Sequence, residues 1–262
     1  MKKNLTAKSK ILSQAVIGIA IYLAVNVACI LVLSQSVDKL PYGAYTVDAI
    51  AKVLSGTAAL IYICTDKTTP IFRDKQARYS GNPLFTLFVI ITAFALTVSF
   101  NFLFSLIPWD VFGSKNIVQD NDAFYSIPLS FRLISYVVIA PFAEEALFRG
   151  VIFTRFRKLM PLWGAAVCSA VIFGIYHGNL MQGLYAFIMG LCMCIIFEFG
   201  GSLLCSIIFH MTANLISNLC YEYDYINKVI YSPVGIALSI AYVVVAIILC
   251  YVYKQRLTKK DK

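Results

Sequence analysis

The chain has 262 residues, 60% hydrophobic and 13% charged, with a mean hydropathy of +0.79. That balance excludes an ordinary soluble domain and places the chain in a bilayer. The net charge of +9 arises from 22 Lys and Arg against 13 Asp and Glu. These charges are scattered over short gaps without interleaved aromatic residues, which argues against a nucleic-acid partner.

A transmembrane helix needs about 20 mostly apolar residues. Windows of that kind recur along the whole chain and predict eight spans, over about 11–33, 47–65, 84–108, 130–156, 162–178, 180–199, 202–220 and 232–253. No window is left over for a soluble domain, and no segment has the dyad alternation of a barrel. The expected fold class is therefore all-α, a polytopic transmembrane helical bundle of about eight spans. The opening MKKNLTAKSK and the apolar run after it resemble a secretory signal peptide. The run is too long for one and lacks a small-x-small cleavage site, which suits an uncleaved first span.

Basic residues mark one side of the bundle. Lys2, Lys3, Lys8 and Lys10 precede the first span; Lys67, Arg73, Lys75 and Arg78 fill the second gap; Arg155, Arg157 and Lys158 follow the fourth span; more basic residues follow the eighth. The alternate gaps mix Lys39, Lys115 and Lys228 with Asp38, Asp110, Asp120, Asp122, Glu222 and Asp224. The positive-inside rule then expects both termini in the cytoplasm. Short basic loops without a eukaryotic targeting signal suit a multi-pass protein of a bacterial plasma membrane. The eight cysteines all lie in or beside apolar windows without CxxC spacing, so they read as small buried hydrophobes, implying neither disulfides nor a zinc cluster.

The fourth window contains FAEEALFRG, residues 142–150. An acid at the centre of a span costs about 2.5–3.5 kcal/mol on insertion scales, so two adjacent ones require a partner, an aqueous cavity or a function. Glu145 has Arg149 one turn on, at i+4. Glu144 lies about 100° around the helix and has Phe148 at its own i+4 position, so its partner must come from elsewhere. Both histidines of the chain fall in later spans: His177 ends FGIYH, and His210 begins HMTAN, with Asn214 one turn after it. Counting about 1.5 Å per residue from the cytoplasmic ends puts Glu144 roughly 20 Å up, His177 roughly 22 Å, His210 roughly 12 Å and Asn214 roughly 18 Å, all at mid-membrane depths. Each also has a plainer reading. A single intramembrane His or Asn can be interhelical glue. The Glu145 and Arg149 pair reads as structural more than chemical, and Asp48 with Lys52, Arg132 and Glu198 read as snorkelling or paired charges.

In chain order, EExxxR (Glu144, Glu145, Arg149), FxxxH (Phe173, His177) and HxxxN (His210, Asn214) resemble the CPBP family of intramembrane proteases. That family holds the type II CAAX prenyl endopeptidases and the bacterial Abi proteins of bacteriocin processing and immunity. The similarity covers about residues 130–220 and includes GSLLCSIIFHMTAN. It implies three segments: N-terminal helices without a motif over 1–125, a catalytic core over 126–222, and a last helix with a basic tail over 223–262.

The resemblance also implies an endopeptidase acting on a hydrophobic or membrane-anchored peptide or protein, reached from the lipid or the cytoplasm. Glu144 would be the general base, His177 would help hold the attacking water, His210 and Asn214 would donate to the oxyanion, and Glu145 with Arg149 would orient the base. Family members are often named metalloproteases, and Glu144, His177 and His210 form a set that zinc accepts. Without HExxH spacing, no cofactor is favoured, and zinc stays open. Two other function classes stay open too. One is a non-catalytic membrane scaffold or bacteriocin immunity factor. The other is an ion-coupled transporter, weakened by the lack of repeated halves.

Overall fold

A computed structural model describes residues 2–65, 81–109 and 124–260, with side chains over 7–65, 81–109 and 124–248. The gap charges Lys67, Arg73, Lys75, Arg78, Asp110, Lys115, Asp120 and Asp122 lie outside the described residues. Among those described there is no strand, and each of the eight apolar windows falls on a helix. We number them α1 (Lys2–Leu33), α2 (Ala44–Thr65), α3 (Pro83–Ser105), α4 (129–159), α5 (Leu162–Tyr176), α6 (Leu180–Gly200), α7 (Leu203–Glu222), α8 (Asp224–Ile230) and α9 (Pro233–Lys260). Among the described residues five helices are long and apolar enough to cross a membrane, and a sixth span forms if α8 and α9, bent by 55°, count as one. At about 1.5 Å per residue α5 reaches only about 22 Å. Four helices begin on side-chain caps that satisfy first-turn donors: Asn82 accepts from Leu84 N, Asn179 from Gln182 N, Ser202 from Leu204 N, and Ser232 from Gly235 N.

Much of the exterior is apolar and several charges are inside, while others, such as Asp224 and Lys228, stay exposed. Leu31, Ile61, Ile175 and Val234 face outward, whereas Arg132, Glu144, Glu145, Arg149 and Arg155 are buried. This inversion suits lipid, where backbone and charge must find partners within the protein.

Helix α4 is continuous in space but changes register twice. Leu133–Ile139 and Ala146–Phe153 are π-helical, on either side of the α-helical turn Ala140–Glu145. Pro141 accounts for the first widening: it has no N–H, and its ring would collide with the carbonyl four residues back. The Ala140 N–H bonds instead to Ser135 O, five residues back. The Tyr136 carbonyl thereby loses its α-helical donor, and its π-helical donor would be Pro141, which has none. Asn214 on α7 supplies the missing donor, with Nδ2 at 2.8 Å from that oxygen. At the second widening the Gly150 carbonyl accepts from Thr154 Oγ1 and Arg155 Nη1, each at 2.6 Å. Arg155, expected in a cytoplasmic gap, is therefore fully buried, with its guanidinium over the Tyr62 ring. A carbonyl released inside the bundle draws the cation inward.

Helix α2 packs on α4 at two glycines. A Cβ at Gly56 would stand 2.6 Å from Ala143 Cα, and one at Gly150 would stand 2.3 Å from Ile63 Cδ1. These close approaches bracket Glu144 and Arg149 along α4. Tyr22, Ile63, Phe148, Phe173, Met193 and Phe209 then continue one apolar core through the helices around the acids.

The two span-end charges are paired. Arg132 donates to Ile127 O at 3.0 Å and Asn218 Oδ1 at 3.2 Å, and forms an ion pair with Glu222. Arg157 Nε donates to Glu198 Oε1 at 2.9 Å.

Candidate active site

The i+4 spacing on α4 brings Arg149 Nη1 to 2.7 Å from Glu145 Oε1, with both side chains fully buried. The other Arg149 amine donates to Gly190 O on α6 at 3.2 Å, and the guanidinium lies over the Phe173 ring of α5, 4.6 Å from its centroid. Glu145 Oε1 also accepts from His210 Nδ1 on α7 at 3.0 Å. One carboxylate thus ties α4 directly to α7, while its arginine reaches α5 and α6.

Glu144, which had no base within its own sequence neighbourhood, acquires one from α2. Lys52 Nζ lies 3.6 Å from Glu144 Oε1 and 3.0 Å from Asp48 Oδ2, one turn earlier on α2. The other Glu144 oxygen is 3.9 Å from His210 Nε2. The Lys52 ammonium also sits over the Tyr136 ring, 5.2 Å from its centroid. Asp48 and Lys52, read from sequence as a snorkelling or self-contained pair, are instead part of this cluster. The signal was there, since two charges inside an apolar window require an explanation wherever they occur. What the sequence could not supply was the helix they face.

The histidine tautomers follow from their partners. His177 Nδ1 is 2.8 Å from Phe173 O, and a carbonyl oxygen only accepts, so Nδ1 carries the proton. The same holds for His210 Nδ1 against the Glu145 carboxylate. In its neutral form each ring would present a lone pair at Nε2. Phe173 packs edge-on against both imidazoles, at 4.7 Å from His177 and 5.8 Å from His210 between centroids.

Both imidazoles and Asn214 line one cavity of about 460 Å³, whose remaining wall is mainly apolar, with Phe104, Trp109, Phe173, Met189, Met193 and Phe209 among its residues. A second hollow of about 330 Å³ shares Asn101, Met181, Gln182 and Ser217 with it and adds Tyr125, Asn227 and Tyr231. Together they extend toward the Ser105 end of α3 and the Glu222 end of α7, away from the basic end of α4.

Of the six residues singled out from sequence, His210 contacts Glu145 and approaches Glu144; Arg149 holds Glu145; His177 and Asn214 reach the same cavity wall. As a metal centre the donors fit poorly. Among the described residues no three His, Cys, Asp or Glu side chains come together as a ligand set, and Glu144 already faces the ammonium of Lys52. A second cation on that carboxylate would meet like charge.

A family model described as type II CAAX prenyl endopeptidase Rce1-like matches residues 126–216, running from just before α4 into α7. All six site residues fall within that segment, and the resemblance drawn from the motifs holds there. No curated protein and no solved structure matches the chain.

Proposed function

We propose that this multi-pass membrane chain, Rce1-like over residues 126–216, is an intramembrane endopeptidase that hydrolyses a peptide bond in a hydrophobic or membrane-anchored substrate. The supporting observation is Glu144 meeting His210 at 3.9 Å, where His210 forms part of the wall of an apolar cavity large enough for a peptide segment. In this reading the water oxygen attacks the scissile carbonyl carbon while its proton passes to Glu144. The carbon–nitrogen bond then breaks, and the leaving amine takes that proton. His177 holds the water through its Nε2 lone pair, which accepts the hydrogen that does not pass to Glu144. The oxyanion receives the Asn214 N–H that is not bound to Tyr136. With Nδ1 committed to Glu145, His210 would serve as an oxyanion donor only after taking a second proton at Nε2. Glu145 and Arg149 fix the plane of that ring.

The apolar wall suits apolar side chains, and the cavity's extension toward the Ser105 and Glu222 ends favours a substrate arriving from the side opposite the basic loops. With both termini cytoplasmic that side is external, as for a bacterial plasma-membrane protein handling exported or surface-anchored peptides. Water activation without a metal is the simplest chemistry these residues support. A chelator series on purified protein, with bound metal measured beside activity, tests it, and loss of activity in step with loss of metal overturns it.

The decisive experiment compares peptides released from membranes containing wild type or Glu144→Gln. Peptides present only with wild type support the enzyme. Identical release together with full physiological function in the variant overturns it in favour of a scaffold or immunity role.

A further inference from the structure

We infer that Lys52 on α2 is a positioning residue of this site, fixing the Glu144 carboxylate in place for proton transfer; the inference rests on the endopeptidase reading above. Nothing in the motif-bearing segment supplies Glu144 with a cation, because Arg149 is committed to Glu145 and Gly190. Lys52 supplies it from outside that segment, 3.6 Å from Oε1, with side-chain exposures of only 12% for Lys52 and 6% for Glu144. The charged and titratable groups about this carboxylate are Lys52, with Asp48 behind it on α2, His210 from α7, Glu145 beside it on α4, Tyr22 from α1, and Tyr176 and His177 at the end of α5. Each buried acid of the pair thus has one cation of its own.

Two further observations make the arrangement a fixed one. Asp48 Oδ2 at 3.0 Å and the Tyr136 ring at 5.2 Å hold the ammonium from other directions, so it is steered rather than free to follow Glu144. One turn along α2, Gly56 lies against Ala143, the residue before Glu144, so the backbones carrying Lys52 and Glu144 are in direct contact. The ion pair occupies Oε1 and leaves Oε2 facing His210. An unpaired carboxylate could rotate about its side-chain bonds; this one is held with one oxygen toward the imidazole. No residue of α2 lines the cavity, so Lys52 acts on the base and not on the bound substrate.

The test uses full-length protein in detergent or nanodiscs with four variants: Lys52→Met, Lys52→Arg, Glu144→Gln and the double Lys52→Met with Glu144→Gln. Membrane yield and thermal stability are measured for all, and kcat and KM on a peptide from the released-peptide comparison. Lys52→Met should lower kcat roughly tenfold to a hundredfold, the scale of a misplaced catalytic group, with KM within about twofold. Lys52→Arg, keeping the charge, should recover most of the loss. In the stability measurements the double variant should be better folded than Lys52→Met alone, because it removes the buried Glu144 charge that Lys52→Met leaves unpaired, while Asp48, 39% exposed, loses its partner equally in both. Wild-type kcat in Lys52→Met, or equal loss in Lys52→Arg and Lys52→Met, overturns the inference. If Lys52→Met does not accumulate, the double variant decides: recovered yield supports the pair, and unrecovered yield overturns it. Cleavage by Glu144→Gln at the wild-type rate would instead overturn the endopeptidase reading, and the yield comparison would still test whether Lys52 and Glu144 are partners.

Discussion

The two acids at the centre of α4 are adjacent in sequence and held by different parts of the molecule. Glu145 draws on the motif-bearing helices: Arg149 from its own helix at 2.7 Å and His210 from α7 at 3.0 Å, both on the same oxygen. Glu144 draws on α2, where the sequence holds no family motif, through a longer contact of 3.6 Å. The first arrangement is short, buried and multiply shared, which suits a group whose charge never changes. The second is longer and leaves an oxygen facing an imidazole, which suits a group that must gain and lose a proton. The division of labour therefore runs between neighbours on one helix, and the supporting helices take part in it.

The largest expected effect would break the Glu145 side. Arg149→Ala leaves a buried carboxylate and an imidazole without their cation, a loss that typically costs about 3–5 kcal/mol. Folded yield and activity should fall together, read from membrane yield and melting temperature in detergent. If the variant is as stable and active as wild type while Glu145→Ala is dead, Glu145 is the better candidate for the base. The exchange Glu145→Arg with Arg149→Glu should recover yield relative to either single change, with activity restored at best in part.

Glu144→Gln should behave in the opposite manner. It keeps the shape and can still hydrogen-bond, so yield should hold while the cleavage rate drops by about 10²–10⁴, the usual contribution of a general base. A drop in yield as large as that of Arg149→Ala would erase the contrast between the two acids.

Gly56→Ala probes the α2 side without touching a charge. Its new methyl would meet Ala143, and overpacking of this kind costs about 1–3 kcal/mol. Melting temperature should fall moderately, and kcat should fall more than the stability loss accounts for, because α2 carries Lys52 away from Glu144. An unchanged kcat beside a lowered melting temperature would mean that the α2 contact is only structural.

Arg157→Ala gives the smallest effect. Its pair with Glu198 is partly exposed, with side chains 39% and 27% accessible, so the loss should stay below about 1 kcal/mol and cleavage should be unaffected.

Much of the bundle was legible because lipid imposes a length and a polarity that a sequence displays directly. The eight apolar windows became helices, and the i+4 spacing of Glu145 and Arg149 became an ion pair, since both are properties of one continuous segment. The partner of Glu144 was not legible. Asp48 and Lys52 carry the same kind of signal as the acids on α4, but which helix they face depends on Gly56 meeting Ala143, a tertiary contact between residues far apart in the chain. Arg155 was misplaced for a related reason: its burial follows from a carbonyl released by a π turn, and helix register is invisible to hydropathy. The histidine roles were half legible. Depth placed the rings together, but only their Nδ1 partners decide which nitrogen faces the cavity.

Pro141 reaches further than its own helix. By withholding a hydrogen it leaves the Tyr136 carbonyl to Asn214, and that bond fixes the amide of Asn214 at one corner. A planar amide with one hydrogen tethered has lost its freedom to spin, so its second hydrogen has a single bearing before any substrate arrives. An imino acid that touches no substrate thereby acts as a gunsight for an amide three helices later. Replacing it with a residue that restores the N–H would give Tyr136 a second suitor, and the asparagine would regain its swing.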